Sequence, residues 1–245
     1  MYEPGPHSFR RRGVTVERGA LGRPTVSESD IHTSVRAEQS RMTESGVEAA
    51  EDLTDLYREY GDDRLPPGQR ETDGFPVLSK SGTPSWDPET FEIEVWGAVD
   101  EPQSLSLDEL RDLPAVTQRQ DFHCVTGWSK FDCEFTGVAF ADLAERAGVR
   151  DEAEHVMFHS LDGYTTDLPL DECTKPGVQL AYGFDGDDLP ADHGGPIRVV
   201  TPHKYAYKGA KWVSGVEFLT EPELGYWEKR GYSDTANPWN EERYS

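Results

Sequence analysis

The chain has 245 residues and carries 47 Asp and Glu against 24 Lys and Arg, a formal charge of −23 at pH 7. A surface this acidic repels nucleic acid and anionic membranes, which excludes both as default partners. The length suits one sizeable domain, alone or with an appendage, and buries enough surface to fold without disulfides or a structural metal.

The first 41 residues differ from the rest, with seven Arg against five acids and no helical or strand periodicity. They are expected to be disordered, and Met42 is a candidate natural start. Arg10, Arg11 and Arg12 suggest a twin-arginine export signal, but the charged stretch Gly13–Arg18 supplies no apolar region behind it. No run approaches the roughly 18 apolar residues of a membrane span. The three cysteines, Cys124, Cys133 and Cys173, are odd in number and scattered, so they form no disulfide framework and point to a reducing compartment. A cytoplasmic protein is therefore expected. The absence of CxxC and CxxCH leaves no motif for a c-type haem or a Cys-rich iron–sulfur site.

Residues 47–60 have a modest amphipathic helix pattern, ended by Pro66-Pro67-Gly68, and residues 42–74 read as a helix and extended lead-in. The folded domain is expected over 75–245. Phe91–Val95 alternates as a half-buried strand. Ser106-Leu107-Asp108-Glu109 is a capping-box pattern opening a short helix closed by Pro114. Residues 116–122 alternate again and deliver Cys124 at a strand end. Residues 138–147 are helical in pattern, with Gly148 as the stop. Asp162-Gly163 between His155–Ser160 and Tyr164–Leu168 signals a hairpin. Val178–Phe184, Ile197–Thr201 and Trp212–Leu219 complete a strand-rich set. Short strands that do not alternate regularly with helices predict an α+β fold with mixed sheets, and no GxGxxG or Walker sequence is present.

Two segments concentrate chemistry. In Asp121–Ser129, Cys124 follows a strand and enters a loop marked by Gly127 and Ser129. A thiolate there can be a nucleophile or a soft metal ligand; equally, a free Cys is often a small buried hydrophobe. Residues 193–216 contain no Asp or Glu, yet hold His193, Arg198, His203, Lys204, Lys208 and Lys211. Three of the chain's seven lysines fall within eight residues there. The pattern fits a site for an anion such as phosphate, or a solvated basic edge offsetting the acidic surface. His123, His155, His159 and Cys124 are a looser set that matches no standard zinc spacing.

Around these segments the chain resembles the sulfite-oxidase and MsrP-like molybdopterin oxidoreductases. The resemblance runs over roughly 75–245. It is carried by Leu180-Ala181-Tyr182, Asp185-Gly186, Leu189-Pro190, Asp192-His193-Gly194, Pro196-Ile197-Arg198-Val199-Val200, Pro202 and Lys211-Trp212. Gly225-Tyr226-Trp227-Glu228, Arg230-Gly231-Tyr232 and Pro238-Trp239 resemble the prokaryotic branch, and the acid-rich, lysine-poor composition is similar to that of haloarchaeal proteins. The resemblance implies a sulfite-oxidase-type fold and a molybdenum–molybdopterin cofactor. It implies that Cys124 is the protein ligand to the metal and Tyr164 the active-site tyrosine. It further implies that His193, Arg198, Lys208, Gly209, Ala210 and Lys211 hold the pterin and its phosphate, with Ser160 as a further pterin contact.

The chain also departs from the family pattern. Leu78 and the neutral Thr126-Gly127-Trp128 stand where sulfite oxidases place oxyanion-binding arginines, and Thr126 replaces an MsrP-like Glu. The Asn-containing pterin contact has no clear counterpart around Phe75–Lys80. The implied reaction is a two-electron oxygen-atom transfer on a small sulfur oxyanion such as sulfite, drawn in by Lys130, Arg119 or the 204–208 lysines. An S-oxide or N-oxide reductase is the alternative enzyme, and a non-catalytic pterin carrier or a cofactor-free scaffold the alternatives outside catalysis. Without haem or iron–sulfur motifs, electrons are expected to come from a separate partner.

Overall fold

Alternating apolar and polar residues give a strand one face for the core and one for water. In the computed structural model, which describes residues 50–245, such segments pair into two sheets. The strands in chain order are β1 (Glu51–Asp52), β2 (Arg70–Glu71), β3 (Glu92–Gly97), β4 (Gln103–Ser106), β5 (Ala115–Cys124) and β6 (Trp128–Ala139). They continue with β7 (His155–Ser160), β8 (Thr165–Pro169), β9 (Gln179–Phe184), β10 (Asp187–Asp188), β11 (Arg198–Val200) and β12 (Val213–Leu219). Three short helices join them: α1 (Leu107–Arg111), α2 (Phe140–Ala147) and α3 (Leu170–Cys173).

One sheet runs β1-β5-β6-β9-β10, with β11 paired to β9 and β2 to β6; the other runs β4-β3-β12-β7-β8. Strand β12 lies parallel to β3 and antiparallel to β7. The mixture of directions and the few short helices are the α+β architecture that the strand spacing predicts. The main core gathers Ile93, Val95, Phe158, Val216 and Phe218 from the second sheet with Val138, Leu180 and Val199 from the first, and α2 adds Phe140 and Leu143. Each such side chain contributes about 1.5–3 kcal/mol by leaving water.

Several local expectations are met at the atomic level. The Ser106 hydroxyl accepts from Glu109 N while the Glu109 carboxylate accepts from Ser106 N, closing the capping box on α1. Helix α2 ends at Gly148 in the left-handed conformation, and Asp162-Gly163 turns β7 into β8.

Two expectations fail. Strand β6 was not anticipated, although Cys133 and Phe135 are buried and alternate with Asp132, Glu134 and Thr136. Register shifts between Thr136 and Gly137 and opposite Gln120–Phe122 break its period, so the alternation is short in sequence while the strand is long in space. The helix expected over 47–60 is, among the described residues, a 3-10 helix at Thr54–Glu59 preceded by β1. The Asp52 carboxylate accepts from Thr54 N and Oγ1 at 3.0 and 2.7 Å, and the backbone of β1 pairs with β5 instead. Since β1 and β2 both add to the first sheet, the lead-in belongs to the compact unit Glu48–Ser245. The reading of residues 1–41 lies outside the described residues.

Candidate active site

The β5–β6 turn, the β7–β8 turn and the segment after β10 open on one cavity of about 330 Å³. Cys124, Tyr164, His193, Arg198, Gly209 and Lys211 all line it. Residues 80 positions apart in sequence are thus brought to one space by sheet pairing.

Cys124 ends β5 opposite Trp128. Its turn is pinned from both ends of the domain: Gln69 Nε2 donates to Cys124 O at 3.0 Å, and Arg243 donates to Val125 O. The sulfur packs beside Phe122 and Trp128 in a small apolar cluster and also faces the cavity. Both readings of this cysteine are therefore realised together. Thr126 Oγ1 lies 3.2 Å from Sγ, placed to donate to a thiolate. His123 alternates to the other face of the strand, where its Nδ1 lies 2.8 Å from Ser129 Oγ, and burial pushes its pKa down to about 3. His155 pairs with Asp167 at 2.7 Å and His159 with Glu217 at 2.9 Å. Among the described residues no three His, Cys, Asp or Glu come together to hold a metal. A metal at Cys124 therefore takes its remaining ligands from a non-protein group.

Arg198 is the telling cation. It is 1% exposed, yet among the described residues no carboxylate lies within ion-pair distance. Its guanidinium donates to His193 O at 2.9 Å and lies 4.9 Å from the Phe122 ring centre. Burial pushes its pKa down to about 10. A buried, unpaired charge costs several kcal/mol, and an anion in the cavity would offset that cost. Lys211 stands near it, its pKa pushed down to about 8 by burial and then by the Arg198 charge. Gly194 lets the two cations share a wall: its φ is +116°, and a Cβ there would sit 2.9 Å from Arg198 Cβ and 3.2 Å from Lys211 Cβ. His193 stacks on Phe75 at 4.1 Å and 12°, and burial lowers its pKa, so the ring is neutral at pH 7.

Tyr164 donates its hydroxyl to Tyr207 O. Burial, then the Glu228 charge, raise its pKa well above the usual phenol value. It remains a neutral phenol, and donation to a substrate oxygen requires exchange of the bond to Tyr207.

Lys208, Ala210 and Ser160 do not line the cavity. Lys208 points the opposite way, donating to Glu228 Oε1 at 2.6 Å and Asp167 O at 2.8 Å. Its place beside Gly209 concealed this, because alternate residues of a tight turn face opposite sides. Arg119, Lys130 and Lys204, nominated to attract an oxyanion, also lie elsewhere: Arg119 faces Glu134 at 3.4 Å, Lys130 Nζ is 3.4 Å from Asp73 O, and Lys204 is 3.1 Å from Glu172.

The sequence reading missed Lys80 and Asp162, the cavity's remaining charged pair, and the aromatic wall of Tyr207, Trp212, Trp227 and Tyr232. The aromatic density of the C-terminal stretch was visible; its facing the cavity was not.

The fit of the residues to a sulfur-bound metal on a phosphorylated group is direct: one soft protein ligand, a buried cation without a counter-ion, and room between them. Comparison with known proteins agrees. Residues 80–227 match the family model for the oxidoreductase molybdopterin binding domain. The chain is 41% identical to the uncharacterized oxidoreductase YuiH of Bacillus subtilis, over 74% of this chain and 92% of that protein. It is 28% identical to the catalytic subunit MsrP of the protein-methionine-sulfoxide reductase of Ralstonia nicotianae, over 62% of this chain but 52% of that protein. The sulfane dehydrogenase SoxCD of Paracoccus pantotrophus shares the fold, with a TM-score of 0.54 at 19% identity over 62% of this chain and 43% of that one. On the length of the family match and its agreement with the site, the chain belongs to the oxidoreductase molybdopterin binding domain family.

Proposed function

We propose that the chain catalyses a two-electron oxygen-atom transfer at a molybdenum–molybdopterin centre held in this cavity. The observation that carries the reading is Arg198, buried without a carboxylate in the same cavity that the Cys124 sulfur lines. When bound, the cofactor supplies the redox chemistry and the protein supplies binding, orientation and electrostatics. Cys124 offers the soft thiolate ligand, with Thr126 as its hydrogen-bond donor. Arg198 and Lys211 hold the phosphate, the turn at Gly209 closes beside them, and the His193–Phe75 stack makes a flat wall. Tyr164 keeps its proton and orients a substrate oxygen. Electrons pass to or from a separate protein, since none of the three cysteines belongs to an iron–sulfur motif. Those cysteines are all free and buried, which supports a reducing, cytoplasmic setting. No helix among the described residues is long and apolar enough to cross a membrane. We take the functional domain to include residues 50–74 as well as 75–245.

For the substrate, the geometry favours an uncharged S-oxide or N-oxide over sulfite. Arg119, Lys130, Lys204 and Lys208 are committed outside the cavity, Lys80 faces Asp162, and the remaining wall is aromatic. The test is a panel of sulfoxides, N-oxides and sulfite with the full chain from a molybdenum-replete host. Reduction of neutral oxides, with little sulfite oxidation, is expected. Fast sulfite oxidation with no oxide reduced would establish the oxyanion reading instead.

Two further outcomes follow for cofactor retention. Arg198→Met keeps the aliphatic stem but removes a charge-assisted hydrogen bond, worth about 1.5–3 kcal/mol. Pterin affinity, read as fluorescence after oxidation, is expected to fall at least about tenfold. Lys211 is charged below its pKa of about 8 and neutral above it. Retention of the anionic cofactor should therefore weaken as pH rises from about 8, and Lys211→Met should abolish that pH dependence. An unchanged pH step in the variant would remove Lys211 from the anchor.

A further inference from the structure

The wall of the cavity between Phe75 and Ser81 is built differently from the rest. Among the described residues, 75–81 form no backbone-to-backbone hydrogen bond and belong to no strand or helix. Val77 and Leu78 are 47% and 49% exposed, so little apolar burial holds the segment down beyond Phe75. Gly82, at φ +83° with open space around it, ends the segment at a position free to swing. What fastens this strap is polar. Lys80 Nζ donates to Asp162 O and lies 3.5 Å from the Asp162 carboxylate. Ser81 Oγ donates to Asp162 Oδ2 at 2.9 Å. Lys211 Nζ donates to Leu78 O at 2.9 Å.

Asp162 has a second attachment. Its other oxygen, Oδ1, accepts from Tyr164 N at 2.9 Å. One carboxylate, 5% exposed in its side chain, therefore joins the strap on one wall to the tyrosine-bearing turn on another. We propose that Asp162 and Lys80 are positioning residues: their ion pair latches the strap over the cavity, and the same carboxylate sets the Tyr164 backbone. Opening of the strap is the route by which the cofactor enters and leaves. The cofactor part of this rests on the functional reading above; the latch does not.

The latch separates into two bonds by choice of substitution. Asp162→Asn keeps an acceptor for Tyr164 N and removes only the charge that holds Lys80. Lys80→Met removes the same pairing from the other side and keeps the stem. Asp162→Ala removes both attachments. The experiment measures iodoacetamide labelling of Cys124 in the cofactor-free full chain, by mass spectrometry, with buried Cys133 and Cys173 as internal references for folding. Labelling of Cys124 should be roughly tenfold faster in Asp162→Asn and Lys80→Met, because local opening sets access to a shielded thiol. The references should stay unlabelled. Pterin release from loaded enzyme should accelerate in the same two variants, and Asp162→Ala should lose more kcat than Asp162→Asn. Parent-like Cys124 labelling in both Asp162→Asn and Lys80→Met would overturn the latch. A parent chain holding no molybdenum or pterin would overturn the functional reading alone, with the labelling still deciding the latch.

Discussion

Cys124→Ser is expected to yield a folded protein that has lost turnover by more than about a hundredfold, together with its molybdenum. Loss of even an outer partner of a metal ligand costs about 10–100-fold, and here the ligand itself is removed. Serine preserves the side-chain volume and the contact with Thr126, so the apolar cluster around Phe122 and Trp128 need not rearrange. What it cannot supply is a soft anionic donor, because a hydroxyl does not ionise as a thiol does. Cys133→Ser is the matched control. Cys133 is fully buried in the same cluster, its thiol pKa pushed up to about 12 by burial, and it does not line the cavity. That variant should lose about 1–3 kcal/mol of stability for a buried hydroxyl and keep its molybdenum. Metal content and turnover measured on both variants decide the matter; equal losses would mean the ligand has been misassigned.

The largest effect on stability is expected at Lys208. Its ammonium and the Glu228 carboxylate are each 1% exposed and 2.6 Å apart. Thr166 Oγ1 donates to the same Glu228 oxygen at 2.7 Å, and Asp167 O accepts from Lys208. Removing one partner leaves the other charged and buried, which costs about 3–5 kcal/mol. Lys208→Met should lower stability by that amount in denaturant unfolding. The double variant Lys208→Met, Glu228→Gln leaves no buried charge and should recover most of the loss. A double variant as unstable as the single would show that packing, and not the stranded charge, is responsible. Because Tyr207 and Gly209 flank Lys208 and line the cavity, the single variant should also hold cofactor more weakly. Lys208 thus matters to the site by tying its wall to β8 and to the C-terminal segment.

These two residues also mark what the sequence could and could not convey. Cys124 was legible because a strand pattern ended on it and a loop followed. The cluster from His193 to Lys211 was legible because acid-free sequence is unusual in so acidic a chain. Charge patterning located the segment but could not say which cations face inward, so Lys208 was placed on the wrong side of its turn. Strand β6 escaped because its bulges interrupt the period that marks a strand. Lys80 and Asp162 escaped for a different reason: each looks like an ordinary surface charge, and only the approach of two distant segments makes them a pair. Long-range pairing of this kind leaves no local trace, whereas capping at Ser106 and the turn at Asp162-Gly163 are local and were read directly.

The central claim is that the Cys124 sulfur bonds a molybdenum held beside Arg198 and Lys211. Molybdenum K-edge X-ray absorption on the full chain tests it directly, with Cys124→Ser supplemented with enough cofactor to retain some metal. The account requires one sulfur neighbour fewer around the metal in the variant than in the parent. An identical sulfur shell in both, or a parent protein without molybdenum, would contradict it.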